Sequence, residues 1–144
     1  MLKYVICIFL VFSIYGCLHR HVDKITTFSV NGKVYDKKTG SPVSEIIINF
    51  IDTGFDDKRH KRQSPLAIGK SDDSGTINID FEFWWGRTEG PLKNKPEKTF
   101  TVELEADNYQ TKRFDYRADD LTRENGKIIV PLGNIYLTSK SLAE

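Results

Sequence analysis

Cysteine is scarce in this chain of 144 residues, which has only Cys7 and Cys17, both within the first 17 positions. A disulfide framework or a cysteine-based metal site is therefore excluded from everything that follows. The fold has to be held by an apolar core, and a chain of this length can bury about two-thirds of its unfolded surface. The sequence thus predicts one domain stabilised by side-chain packing.

An excess of either charge is also lacking. The chain has 21 Lys+Arg against 20 Asp+Glu, and residues 1–16 contain only Lys3, so the remainder is formally neutral. A nucleic-acid-binding surface normally needs a basic surplus to displace counterions. The one basic run, residues 58–62, directly follows two aspartates that offset it. We therefore expect no nucleic-acid partner.

Histidine is limited to three residues. His60 stands alone in a polar segment, where we expect a solvated side chain rather than a general base. His19 and His21 have the spacing of a weak metal pair, but two such residues on a flexible tail are more often simply solvated. No set of residues for nucleophilic catalysis or zinc binding is recognisable.

Two groups of carboxylates could bind Ca²⁺ or act as an acid/base pair. Asp72-Asp73 is better explained by a hairpin turn, in which Asp bonds its own backbone. Asp80 and Glu82 alternate with apolar residues and are expected to face solvent. We therefore predict no catalytic residues, no metal site and no cofactor.

The first 17 residues have the parts of an export signal: one early lysine, an apolar run over residues 4–15, and a small residue before Cys17. The run is too short to span a bilayer, which needs about 20 residues. Ile14-Tyr15-Gly16-Cys17 resembles the lipobox of bacterial lipoproteins. That resemblance implies removal of residues 1–16 and a lipid, including palmitate, on Cys17; an ordinary cleaved signal peptide is the alternative. By the same resemblance to lipoproteins of two-membrane bacteria, Leu18 in place of Asp favours the outer membrane.

Residues 17–27 show no periodicity and are predicted to form a tether, and residues 139–144 a tail. Between them, residues 28–138 alternate between apolar and polar side chains, which predicts strands with one buried face. The predicted strands are residues 28–35, 46–51, 67–70, 76–83, 98–106, 109–116, 128–132 and 135–137. Residues 52–65 and 84–97 are predicted loops, and residues 121–125 at most one helical turn. The expected fold is an all-β sandwich of seven to eight strands.

Three turn motifs resemble those of carboxypeptidase regulatory-like domains. They are Val30-Asn31-Gly32-Lys33-Val34-Tyr35-Asp36 with Thr39-Gly40-Ser41-Pro42-Val43, then Ser71-Asp72-Asp73-Ser74-Gly75-Thr76-Ile77, and then Ala106-Asp107-Asn108-Tyr109. The resemblance covers residues 28–138 and implies the transthyretin-like, seven-stranded sandwich. Enzymes with this sandwich include hydroxyisourate hydrolases and intradiol dioxygenases, which need histidine sets that this chain does not contain.

Trp84-Trp85 follows the clearest alternating segment. Adjacent strand residues point to opposite faces, so we expect one ring inward and one outward. Either both rings close the end of the sandwich, or an exposed ring contacts a glycan or a protein partner. The function predicted is a non-catalytic, lipid-anchored module of the cell envelope, at the outer membrane, with a protein-binding or structural accessory role. A carbohydrate-binding lipoprotein is the alternative, and an enzyme of unknown type is a third.

Overall fold

The computed structural model describes residues 20–21, 24–54, 65–85, 88–89 and 98–140. This part of the chain contains ten strands, one 3₁₀ turn (Ala118–Asp120) and no α-helix. In order, the strands are β1 (Arg20–His21), β2 (Lys24–Asp36), β3 (Ile47–Asp52), β4 (Leu66–Lys70), β5 (Thr76–Trp85), β6 (Thr88–Glu89), β7 (Thr99–Glu105), β8 (Lys112–Arg117), β9 (Arg123–Glu124) and β10 (Lys127–Leu137).

The chain divides into two units. The larger comprises Thr26–Phe83 and Pro96–Glu144, and the smaller comprises Met1–Ile25 and Trp84–Lys95. In the smaller unit, β1 and β6 form a two-stranded antiparallel sheet. Within the described residues, no helix is long and apolar enough to cross a membrane.

The larger unit is a sandwich of two four-stranded sheets. The first sheet has the order β5-β2-β10-β9 and the second has the order β4-β3-β7-β8. β10 pairs in parallel with β2 from Thr27 to Asp36, whereas β3 is antiparallel to both β4 and β7. Seven of the described strands have five or more residues. The predicted all-β sandwich is therefore confirmed.

A cluster of phenylalanines joins the two sheets. Phe28 of the first sheet is fully buried, and its ring centroid lies 5.4 Å from that of Phe50 and 5.2 Å from that of Phe100, both in the second sheet. Phe81 of β5 stacks on Phe28 at 5.2 Å and lies edge-on to Phe50 at 5.1 Å. Tilted and edge-on ring contacts at these distances add to the free energy gained by apolar burial.

The last predicted pair of strands is in fact one strand. Residues 128–132 and 135–137 both belong to β10, whose pairing with β2 shifts between Pro131 and Gly133. Proline has no N–H to contribute to a ladder, and Gly133 takes a φ of +64°, so the extra residue forms a bulge rather than a strand end.

Two other sequence predictions differ from the structure. The predicted tether includes residues 20–21 and 24–27, yet these form β1 and the start of β2, because backbone pairing does not require an apolar pattern. Residues 121–125, where at most one helical turn is expected, contain none; β9 begins at Arg123 and leads into a hairpin turn at Asn125-Gly126, which both have positive φ. Within residues 84–97, Trp85 still belongs to β5 and Thr88–Glu89 form β6.

Candidate functional surface

Asp72, a candidate Ca²⁺ ligand, stabilises the turn between β4 and β5. Its Oδ1 accepts hydrogen bonds from the backbone N–H and the hydroxyl of Ser74 and from the N–H of Thr76, each at 2.8 Å. The Ser74 and Thr76 bonds, with a smaller contribution from Lys33, lower the pKa of Asp72 below its ordinary value. The carboxylate is thus held ionised by its own turn, as the hairpin interpretation predicts.

Asp36 links two of the turn motifs. Its Oδ1 accepts the N–H groups of Thr39 and Lys38 at 2.7 and 2.8 Å, and its Oδ2 accepts the hydroxyl of Tyr109 at 3.0 Å. The Thr39 N–H is the main cause of a lowered pKa at Asp36. Burial, followed by this contact with Asp36, raises the pKa of the Tyr109 phenol. These groups are engaged in structural bonds between turns.

Asp80 forms an ion pair across the outer face of the first sheet. Its Oδ2 lies 2.5 Å from Nζ of Lys127, and the hydroxyl of Ser29, on the strand between them, donates to the same carboxylate. The Lys127 bond and then the Ser29 bond lower the pKa of Asp80. In the part of the chain that the structure describes, no three metal-ligating side chains come together.

A second polar cluster lies on the outer face of the second sheet. The Arg113 Nε lies 2.5 Å from an oxygen of the buried Glu103, and the Thr101 hydroxyl donates to Asp115, also at 2.5 Å. These are cross-strand pairs, since Glu103 is opposite Arg113 and Thr101 is opposite Asp115. Each buried polar group has a partner, so the cluster stabilises the pairing of β7 and β8.

Exposed aromatic surface in the larger unit is concentrated on the first sheet. Tyr35 of β2 is opposite Tyr136 of β10. Two residues earlier on the same strands, Lys33 is opposite Asn134. The tyrosine rings stack with centroids 5.6 Å apart, and Nζ of Lys33 lies 5.7 Å from the Tyr35 centroid. The side chain of Tyr136 is 51% exposed. We call these four residues the tyrosine patch.

Sequence reasoning missed the tyrosine patch. The alternation in residues 28–35 places Tyr35 opposite the buried Val34, which indicates its outward direction. The position of Tyr136 beside it depends on the parallel pairing of two strands that lie about a hundred residues apart, and no local pattern reports such a pairing.

Of the predicted contact residues, Trp84 is described, and its side chain is 57% exposed. It lies in the smaller unit. The side chain of Trp85 is outside the part of the chain that the structure describes, and so are Cys17, His19 and His60. Lipidation at Cys17 and ligand contact at both tryptophans therefore stay predictions.

No family model and no curated protein match this chain. Among solved structures, a shaft pilin from Lactobacillus rhamnosus GG is similar, with a TM-score of 0.46, 10% identity, and coverage of 82% of this chain and 52% of the pilin chain. A 9R-lipoxygenase from Cyanothece PCC8801 has a TM-score of 0.37 and 12% identity, over 88% of this chain and 20% of the enzyme. This chain spans about half the length of the pilin chain. Structural similarity at these TM-scores and sequence identities gives no information about function.

Proposed function

We propose that this chain is a non-catalytic module of the bacterial cell envelope, anchored through a lipid on Cys17, that binds a protein partner through the tyrosine patch. The observation that carries the proposal is the half-exposed Tyr136 stacked on Tyr35. Tyrosine is enriched at protein interfaces because its ring offers a large apolar area and its hydroxyl a hydrogen bond.

The geometry of the patch suits a protein partner. Because Tyr136 already stacks on its neighbour, binding would cost it little side-chain entropy. Lys33 and Asn134 lie two residues before the tyrosines on the same two strands and supply polar groups beside the tyrosine rings. An aromatic centre with polar groups around it is the usual anatomy of an interface.

The three aspartates with lowered pKa values have a structural role. Asp36, Asp72 and Asp80 all have pKa values lowered by hydrogen bonds to turns or to Lys127. A carboxylic acid used as a general acid at neutral pH needs the opposite shift. These carboxylates act as acceptors that fix turns and pair strands.

Membership of the carboxypeptidase regulatory-like, transthyretin-like group is part of the same proposal. It is supported by contacts among the three motifs that carry the resemblance. The Val34 N–H donates to the Gly75 carbonyl at 2.8 Å, which joins the first motif to the second, and the Tyr109 hydroxyl joins the third motif to Asp36. Turn motifs that hydrogen-bond to one another are expected where all three belong to one fold.

The anchor is tested by fractionation and mass spectrometry. The wild-type chain should remain with the outer membrane, and its mature N-terminal peptide should carry an acylated Cys17. Cys17→Ser should move the protein to the soluble fraction, because the acyl chains bury many CH₂ groups at about 0.8 kcal/mol each. An unmodified Cys17 in a membrane-free protein would remove the anchor from the proposal.

The partner surface is tested in the same cells with a photo-crosslinking amino acid. Placed at Asn134 it should yield a defined adduct with an envelope protein, whereas placed at the exposed Asp119 it should not. Tyr136→Ala should abolish the adduct at position 134. Equal labelling at both positions would contradict the patch as an interface. Binding of the purified protein on a glycan array, lost in Trp84→Ala, would favour the carbohydrate alternative.

A further inference from the structure

Two of the four large apolar side chains that the described structure exposes lie in the smaller unit. Ile25 is 47% exposed and Trp84 is 57% exposed, and the other two are Leu66 and Tyr136. A single exposed apolar residue needs no explanation, but two in one small unit form a candidate contact surface. We call them the Ile25–Trp84 pair.

Strand pairing brings the two side chains together. β5 and β2 are neighbours in the first sheet. The N–H of Val34 donates to the carbonyl of Gly75, which precedes β5, and Ser29 donates to Asp80 farther along it. The strands therefore run antiparallel, because moving five residues back in β2 moves five residues forward in β5. Continued to the ends of both strands, the same alignment pairs Ile25 with Trp84 within the smaller unit.

The proposed lipid site is close to this pair along the chain. Cys17 precedes Ile25 by eight residues, which can span at most about 28 Å when fully extended. Two of those residues, Arg20 and His21, are paired with β6 in the same unit as Ile25 and Trp84. A lipid on Cys17 would hold the pair near the bilayer surface at a high effective concentration.

We propose that Ile25 and Trp84 insert into the interfacial region of the membrane that holds the Cys17 lipid. This inference rests on the proposed anchor. Tryptophan favours the membrane–water interface because its ring is apolar and its N–H can bond to headgroups. Ile25 gains free energy by leaving water, which the apolar part of a bilayer permits. In the sequence, residues 17–25 have Arg20 and Lys24 against Asp23, a net positive charge that suits anionic headgroups.

Trp84 itself can report the insertion. The chain has two tryptophans, so Trp85→Phe leaves Trp84 as the sole indole emitter. The acylated full chain carrying this substitution would be reconstituted in anionic phosphatidylglycerol–phosphatidylcholine vesicles. Its emission should shift to shorter wavelength and be quenched by lipids brominated near the glycerol end of the acyl chains. Aqueous iodide should quench it weakly. Adding Ile25→Ser should reduce the bromolipid quenching, because the pair inserts together.

The matched control moves the reporter to the tyrosine patch. A chain with Trp84→Phe, Trp85→Phe and Tyr136→Trp should respond to iodide and not to the brominated lipids. If Cys17 is acylated and Trp84 still responds only to iodide, the membrane contact is overturned while the anchor stands. An unacylated Cys17 overturns both. A spectral shift of Trp84 with soluble glycans, but not with vesicles, would assign the pair to a sugar instead.

Discussion

Gly75 lets the backbone of the β4–β5 turn pass close to the backbone of β2. It has a φ of +73°, and a Cβ added there would lie 2.5 Å from the carbonyl oxygen of Val34 and 3.1 Å from the N of Val43. Its own carbonyl accepts the Val34 N–H. The close approach of the two backbones therefore requires glycine, both for its conformation and for its missing side chain.

We predict that Gly75→Ala destabilises the sandwich more than Gly40→Ala does. Both positions have positive φ, but nothing lies within 4 Å of a Cβ added at Gly40. Gly40→Ala should cost about 1–2 kcal/mol for the left-handed conformation, and Gly75→Ala should cost more, because the turn must also move away from β2. Urea denaturation measures both losses. Equal losses would contradict the steric argument.

At the scale of the element, the strands were more predictable than their ends and irregularities. Alternation over residues 76–83 predicted β5 because each apolar side chain faces the core, as Ile77 and Phe83 do. The same criterion failed at residues 24–27 and at the bulge after Pro131, where backbone hydrogen bonding decides the structure. A local pattern reports burial, and backbone pairing leaves no comparable trace in the sequence.

The turn that joins β4 to β5 should make the stability of the fold depend on pH in the acid range. The folded-state pKa of Asp72 is lowered by Ser74 and Thr76, so its carboxylate stabilises the fold above the unfolded pKa of about 3.9. That contribution is lost as the pH falls through the folded pKa. Asp72→Asn should therefore lower Tm at pH 7 but show a smaller drop in Tm between pH 7 and pH 3 than wild type.

Asp73→Asn is the control for that measurement. Asp73 is the exposed neighbour in the same turn, and it accepts none of the hydrogen bonds that hold Ser74 and Thr76. It should keep the wild-type dependence of Tm on pH. If Asp72→Asn and Asp73→Asn gave the same pH dependence, the lowered pKa of Asp72 would not be the source of the acid sensitivity.

For the whole molecule, the fold class followed from the sequence and the tyrosine patch did not. Stacking two sheets is the general way to bury the apolar faces of many strands. The fold class could therefore be predicted without knowing which strands are neighbours. The patch needs β2 beside β10, and the Ile25–Trp84 pair needs β2 beside β5. Surfaces made of residues from distant strands become visible only when the order of strands in the sheet is known.

The stability of the whole sandwich should depend on Phe28, which contacts rings from both sheets. Phe28→Ala should cost about 3–5 kcal/mol, a large share of the 5–15 kcal/mol typical of a domain. Tyr136→Ala removes an exposed ring and should cost about 1 kcal/mol or less. Urea denaturation distinguishes these outcomes, and it also shows whether a lost adduct in Tyr136→Ala reflects a lost contact rather than a lost fold. Losses of the same size would mean that the phenylalanine cluster does not hold the two sheets together.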